Sequence, residues 1–413
     1  MADLNAVNIE KGQIGVNRLG GTDAISGIII GAPAPDSLLL DTPTTIYTLK
    51  GAKDLGITQA FDNTNKVNVF RHVSEFYRNA GEGTELHLML VAQATSMSDM
   101  CELKAKSLLT HAKGKIKQLA VAANVVPGTP PTMLDGIPKD VHDAIVKAQG
   151  LADWAYSYNM PCQVFLEGYY FGGNATSALH LREIPDLSAP KVSVFIGQDF
   201  AYAETRQDDA KKFAEVGTLL GVCSKAKVNQ DVGNNELFNL TDEIKKTWIE
   251  PGLSSHVANK NTFEDLQILE DKGYLFGVEY SGIAGVRINN DHTCTPIVVD
   301  DNYSTNEHTI AYGRVHDKAV RALRAVYLPK VKTDWPVDPK TGKLTPGVVV
   351  ALEDLGDKIF EDMKKRGEIT FGKTTVDKES DLLVDKTLRV SYKIVPKGNI
   401  DEISGTINLK TQI

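Results

Sequence analysis

Short apolar runs alternate along residues 25–196 with longer segments whose apolar residues recur every three or four positions. The runs at 25–33, 85–91, 115–122, 160–166 and 191–196 have the length of buried strands. Between them, Val69, Phe70, Val73, Phe76 and Tyr77 share one side of a helix predicted over 67–80. Val141, Ile145, Ala148, Leu151, Ala152 and Ala155 do the same over 140–158, and a further helix is expected over 98–111. Strands alternating with helices predict an α/β domain around a largely parallel sheet. Further on, 208–221 and 264–271 pattern as helices, and the glycine- and aromatic-rich stretch 274–290 as a hairpin.

The C-terminal third changes character. Ile310, Val315, Ala319, Ala322, Leu323 and Val326 mark the buried side of a helix over 307–327. Arg314, Lys318 and Arg321 form a basic stripe on another side, and Pro329 ends the helix. A turn sequence at 338–342 leads to a second helix over 348–365, and 387–395 and 403–409 alternate as strands do. At the other end, Val7, Ile9, Ile14 and Val16 are sparse apolar positions in a polar stretch, the pattern of an extended arm. The expected organisation is an arm (1–22), an α/β domain (23–230), a connecting and hairpin region (231–300) and a C-terminal α+β domain (301–413). Its last strand, from about residue 400, has no obvious partner in a compact domain.

Composition is that of an ordinary globular chain: 42% hydrophobic and 24% charged residues in 413. The formal net charge of -8 argues against a general nucleic-acid binder, since phosphate recognition requires a basic surplus. No run of about 18 apolar residues is present, so no direct membrane insertion is expected. Cys101, Cys162, Cys223 and Cys294 are too scattered for a zinc knuckle or a disulfide framework.

Three segments invite a chemical reading. GEITFGKT, residues 367–374, matches the phosphate-loop pattern letter for letter. That loop requires a buried strand before it and a helix after it; here an amphipathic helix precedes and an acidic stretch follows. A turn between a helix and a strand is expected. Asp291-His292-Thr293-Cys294 holds ligand-type groups without a full set, and Asp199 stands at a strand end with no base or nucleophile near it in sequence. No catalytic residue, cofactor or metal is assigned; the alternative is an α/β ligand- or nucleotide-binding enzyme using Asp199 or the 367–374 loop.

The phrases RVHDKAVRALRAVYLPKV, VDPKTGKL and MKKRGEI, followed by strand-like chain ends, resemble the C-terminal domain of contractile phage tail sheath proteins. VSVFIGQDF, AQGLADWA, GTELHLMLVAQ and DKGYLFGVEYSGIAGVRINNDHTCT extend the resemblance over most of the chain, toward the branch found in phages and phage-derived contractile injection systems. The resemblance implies a structural subunit, without enzymatic activity, in a virion tail or phage-like particle assembled in the bacterial cytoplasm. Its partners would be further copies of itself in stacked rings, an inner tail tube protein, and baseplate and tail terminator proteins. The α/β domain would be peripheral and the C-terminal domain close to the tube. Arg314, Lys318 and Arg321 would contact the tube or a neighbouring subunit. Val7, Ile9, Ile14, Val16, Ile403, Ile407 and Leu409 would lie in arms that exchange strands between subunits.

Overall fold

A computed structural model describes residues 22–410. The chain forms two compact units: one runs to Lys227 and includes Val232–Ile310, and the other comprises Val228–Asp231 and the chain from Ala311 onward.

The first unit is built on β1 (Ser26–Gly31), β2 (Thr44–Ile46), β3 (Leu86–Val91), β4 (Gln118–Ala122), β5 (Gln163–Glu167) and β6 (Val192–Phe195). They form one sheet in the order β2-β3-β1-β4-β5-β6. Every neighbouring pair is parallel except β2 and β3. Ile28 and Ile30 of β1 enter a core shared with helices α1 (Val69–Ala80) and α3 (Val216–Lys225). Ile29, between them, enters the opposite core, shared with α2 (Lys139–Ser157). With both faces covered, the parallel strands are buried along their length and mostly apolar, which is why the runs stand out in the sequence. The α1–α3 contact is close because Gly217 and Gly221, one turn apart, face the α1 backbone. A Cβ on Gly221 would lie 2.7 Å from the Phe76 carbonyl oxygen.

Two helices differ from expectation. In place of one helix over 208–221, a single 3-10 turn (Asp208–Lys211) precedes α3. The intervening residues stay extended because their backbone is bonded elsewhere: Ala214 N–H donates to the Glu167 carboxylate at 2.9 Å and Glu215 N–H to the Gly197 carbonyl at 2.8 Å. Over 97–111 the helix forms, but with a wide turn at Met100–Lys104.

A small sheet of β7 (Gly197–Asp199), β8 (Pro251–Leu253) and β9 (Val257–Ala258) extends this unit. The predicted hairpin is present as β10 (Gly277–Glu279) and β11 (Val286–Ile288). Trp248, Leu275, Val286 and Ile288 join the same core as Ile28, so residues 232–300 are built into the first unit.

The second unit contains most of α4 (Ile310–Tyr327), then α5 (Pro346–Lys365) and a two-stranded antiparallel ribbon, β12 (Ile369–Val376) with β13 (Val390–Pro396). Val315, Ala319 and Leu323 of α4 pack with Phe360, Met363 and Ile369. Leu352 of α5 packs with Val348 and Val376. One sequence expectation is corrected here: residues 369–374, expected as a turn, are strand, paired with β13 and with Thr374 and Val376 buried on the α5 side. Residues 403–409 form no ladder with any of the described residues.

Helix and ribbon meet at Gly372, where an added Cβ would overlap the buried Phe360 ring. Gly372→Ala is expected to cost about 1–3 kcal/mol through overpacking. Amide exchange over 346–396 should accelerate while that of β1–β6 is unchanged; exchange at the wild-type rate in the ribbon would count against this packing.

Candidate functional site

The basic stripe of α4 is graded along the helix. Arg314 is 2% exposed. Lys318 Nζ donates to Glu368 Oε1 at 2.6 Å, and Arg366 Nε reaches the same oxygen at 3.2 Å. This triad ties α4 to the turn between α5 and β12. Arg321 is half-buried and Arg324, one position beyond the stripe, is exposed. Surface charge on this helix is therefore concentrated at its C-terminal end.

The ribbon has two free edges in its own sheet, and they differ. In an antiparallel ladder, alternate residues direct N–H and C=O away from the partner strand. On β12 the outward N–H groups of Thr374 and Val376 donate to Asp357 Oδ1 (2.7 Å) and Glu353 Oε1 (3.0 Å), carboxylates one turn apart on α5. Lys373 Nζ binds the other Asp357 oxygen at 2.5 Å. Partial burial acts to raise the Asp357 carboxyl, but these hydrogen bonds outweigh it and hold it below the usual range. On β13 the outward backbone groups of Val390, Tyr392 and Ile394 have no partner among the described residues. After β13 the chain continues as an extended segment in which Ile403, Ile407 and Leu409 are 86, 93 and 100% exposed. Val7, Ile9, Ile14 and Val16 lie outside the described residues. Sequence reasoning found the terminal segment but missed Glu353 and Asp357. Their only signal was two acids at i, i+4 on the polar side of a helix before a strand.

The chemical leads resolve into structure. GEITFGKT enters β12, and no helix leaves it, so it has no nest of N–H groups for a phosphate. Its Lys373 is held by Asp357. His292 Nε2 pairs with Glu270 at 2.9 Å, while Cys294 is buried against Ala189 in a bridge; the two side chains do not converge.

Asp199 is fully buried at the start of a short helix, where its carboxylate accepts from Tyr202 N–H (3.3 Å) and Trp248 N–H (2.9 Å). Arg71 binds it at 3.0 Å, binds Glu215 at 2.8 Å, approaches Glu75 at 3.5 Å, and stacks on the Tyr202 ring. Nearby, Glu167 accepts from Ala123 and Ala214 N–H at 2.8 and 2.9 Å, and the buried His72 stands 3.9 Å from it. This is a buried network that joins α1, α3, β5 and β7.

Fold and surfaces together define the class: a two-unit α/β protein with the fold of contractile tail sheath proteins. The chain belongs to the DUF2586 family, whose N-terminal domain matches residues 4–292 and whose C-terminal domain matches 308–413. It is similar over 99% of both chains to one in the cryo-EM structure of the anti-feeding prophage helical sheath in the contracted state (TM-score 0.61, 13% identity). It is similar over the whole of both chains to one in the anti-feeding prophage baseplate, 6-fold symmetrised (TM-score 0.63, 12% identity). The crystal structure of a sheath tail protein from Desulfitobacterium hafniense matches over 95% of this chain and 99% of that one (TM-score 0.51, 10% identity). No curated protein matches by sequence. Among the described residues, no helix is long and apolar enough to cross a membrane.

The buried network makes stability pH-dependent. Burial pushes the Glu167 carboxyl up to about 8 against its two hydrogen bonds. It also pushes Glu215 up to about 8, against the pull of Arg71 and with help from Glu75 and Asp199. Burial, aided by Arg71, pushes His72 down to about 3. Between their unfolded values and about 8 the folded chain keeps carboxyl protons that the unfolded chain releases, so these groups lower stability as pH rises. His72 opposes them below about 6.5, where only the unfolded chain takes up its proton. Above that the carboxyls act alone, so the melting temperature of the first unit should fall from pH 6.5 to 8 and the slope should shrink in Glu167→Gln. A melting temperature that rises across this interval would contradict the assignment.

Proposed function

We propose that this protein is the structural subunit of a contractile sheath, polymerising around an inner tube through strands exchanged between neighbouring copies. The observation that carries the proposal is the segment 397–410, which leaves the folded ribbon extended and exposes alternating apolar side chains. Such a segment cannot complete a core in its own chain, but it can add a strand to an open sheet edge on another copy. The likeness to a helical sheath over 99% of both chains supports the same reading. The arm carrying Val7, Ile9, Ile14 and Val16 is assigned a second strand of the same kind. The units would rotate between extended and contracted packings while the strand links hold, so that contraction requires no nucleotide.

Contact with the tube is assigned to the stripe of Arg314, Lys318 and Arg321. Within the stripe Arg314 is buried, Lys318 is bound to Glu368 and Arg321 is half-buried toward the C-terminal end of the helix, which makes Arg321 the member to test. Arg321→Glu should reduce co-sedimentation with the purified tube several-fold at low salt and matter less at high salt, where exposed charge is screened. Equal binding by both proteins at low salt would remove Arg321 from the interface.

A position in the baseplate is the second reading, favoured by the full-length likeness to a baseplate chain. Negative-stain electron microscopy of the concentrated full-length protein separates the two. Long striated tubes are expected for a sheath and short rings for a baseplate component. Deleting residues 401–413, or substituting Ile403→Asp with Ile407→Asp, should abolish tubes while leaving the melting temperature of the subunit unchanged. A monodisperse monomer at every concentration, with or without tube, would sink the polymer.

A further inference from the structure

We infer that Glu353 and Asp357 close the β12 edge of the ribbon, so that the 403–409 segment of a second copy adds to β13 alone. The inference rests on the strand-exchange reading above and adds to it which edge accepts the strand and which residues make the choice.

A two-stranded ribbon offers two edges to an incoming strand, and either would satisfy its backbone equally well. Here the choice is made by α5. An incoming strand at β12 would need the N–H groups of Thr374 and Val376, and both are occupied by carboxylates at 2.7 and 3.0 Å. Hydrogen bonds to charged acceptors are stronger than the neutral carbonyl bonds that would replace them. Displacement would also leave Asp357 and Glu353 without these partners, and would disturb Lys373, bound to Asp357 at 2.5 Å. β13 presents no such barrier among the described residues.

The two strands also match in length and in face. β13 has seven residues, as does 403–409. Val390, Tyr392 and Ile394 lie on the α5 side of the ribbon, while Ser391, Lys393 and Val395 lie on the outer side with Thr375 and Lys373. In 403–409, Ile403, Ile407 and Leu409 alternate with Ser404, Thr406 and Asn408. A strand added at β13 with its apolar side toward α5 continues both faces: apolar beside Val390 and Ile394, polar beside Ser391 and Lys393.

Disulfide trapping in assembled full-length protein tests this, and the four native cysteines are buried and give little background. Strands in a sheet are spaced about 4.8 Å apart, so a strand on β13 lies about 10 Å from β12, beyond disulfide reach. Thr406→Cys combined with Lys393→Cys or Ser391→Cys should give covalent ladders of chains on mild oxidation. Thr406→Cys combined with Thr375→Cys should give at least tenfold less. Adding Glu353→Ala and Asp357→Ala should raise the Thr375 product to a level comparable with the Lys393 product. Glu353→Gln with Asp357→Asn, which retains accepting oxygens, should keep it low. Ladders through Thr375 in the otherwise native chain would overturn edge selection while leaving strand exchange intact. Disulfides confined within single chains, or none in any combination, would overturn strand exchange itself and the edge assignment with it.

Discussion

The constraint on which the rest depends is the hydrogen-bonding demand of backbone at the border of a sheet. In the first unit it is largely met within the fold: five parallel strands lie side by side, and β2 covers one flank of β3 by antiparallel pairing. Beyond β6, the Ile196 N–H donates to Leu275 and the chain turns into β7 of the small sheet. The second unit cannot do this with two strands. One border is met by side chains of α5, and the backbone groups of the other, on β13, have no partner among the described residues. That asymmetry, between a largely paired unit and one with an open edge, is what the proposed building block would require if it is to be stable alone and still join its neighbours.

Carboxylates recur as the means of meeting this demand. Asp62 accepts from Phe70 and Arg71 N–H, Glu167 from Ala123 and Ala214, Asp199 from Tyr202 and Trp248, Asp140 from Met97, and Asp357 and Glu353 from the ribbon. Several of these acids are buried, and in an isolated view a buried acid with a displaced pKa suggests catalysis. Here burial raises the carboxyls of Asp62, Asp140 and Glu167 against the main-chain donors that fill their oxygens, which explains the displacement without a reaction. The acidic balance of the chain is thus partly architectural, spent on terminating helices and strands.

The α/β unit was legible because its signal is redundant. Strands such as Ile28–Ile30 and Leu86–Val91 are buried on both faces, so their composition alone identifies them, and helices α1 and α2 repeat their apolar residues over three turns or more. The boundaries slipped where tertiary bonds override local preference, as at Ala214 and Glu215, whose N–H groups are bonded to Glu167 and Gly197. β12 was obscured for a related reason. GEITFGKT carries two glycines and a lysine, poor strand formers in general, and Gly372 is there because Phe360 leaves no room for a side chain. The α4 stripe was visible as spacing, but spacing does not show that Lys318 is bound to Glu368, fifty residues on. The acceptor edge was the least legible feature, since it depends on where Asp357 and Glu353 arrive in space rather than on any local pattern.

The energetics of one exchanged strand suit a machine that must both hold and rearrange. Burying Ile403, Ile407 and Leu409 would contribute about 6 kcal/mol at about 2 each. Some six backbone hydrogen bonds would add about 6 more at a net of about 1 each. Ordering seven residues would cost about 10 at about 1.5 each. A single link is therefore favourable by only about 2 kcal/mol, which is small beside the cost of bringing two subunits together. Two such links per subunit, if closed into rings, would act at high effective concentration and hold firmly as a set. A second acceptor edge would spoil this, because strands adding at β12 would build branches that do not close into rings. Marginal links of this kind would work only if the 403–409 strand has a single edge to join, and that would place the regularity of the polymer on two side chains of α5.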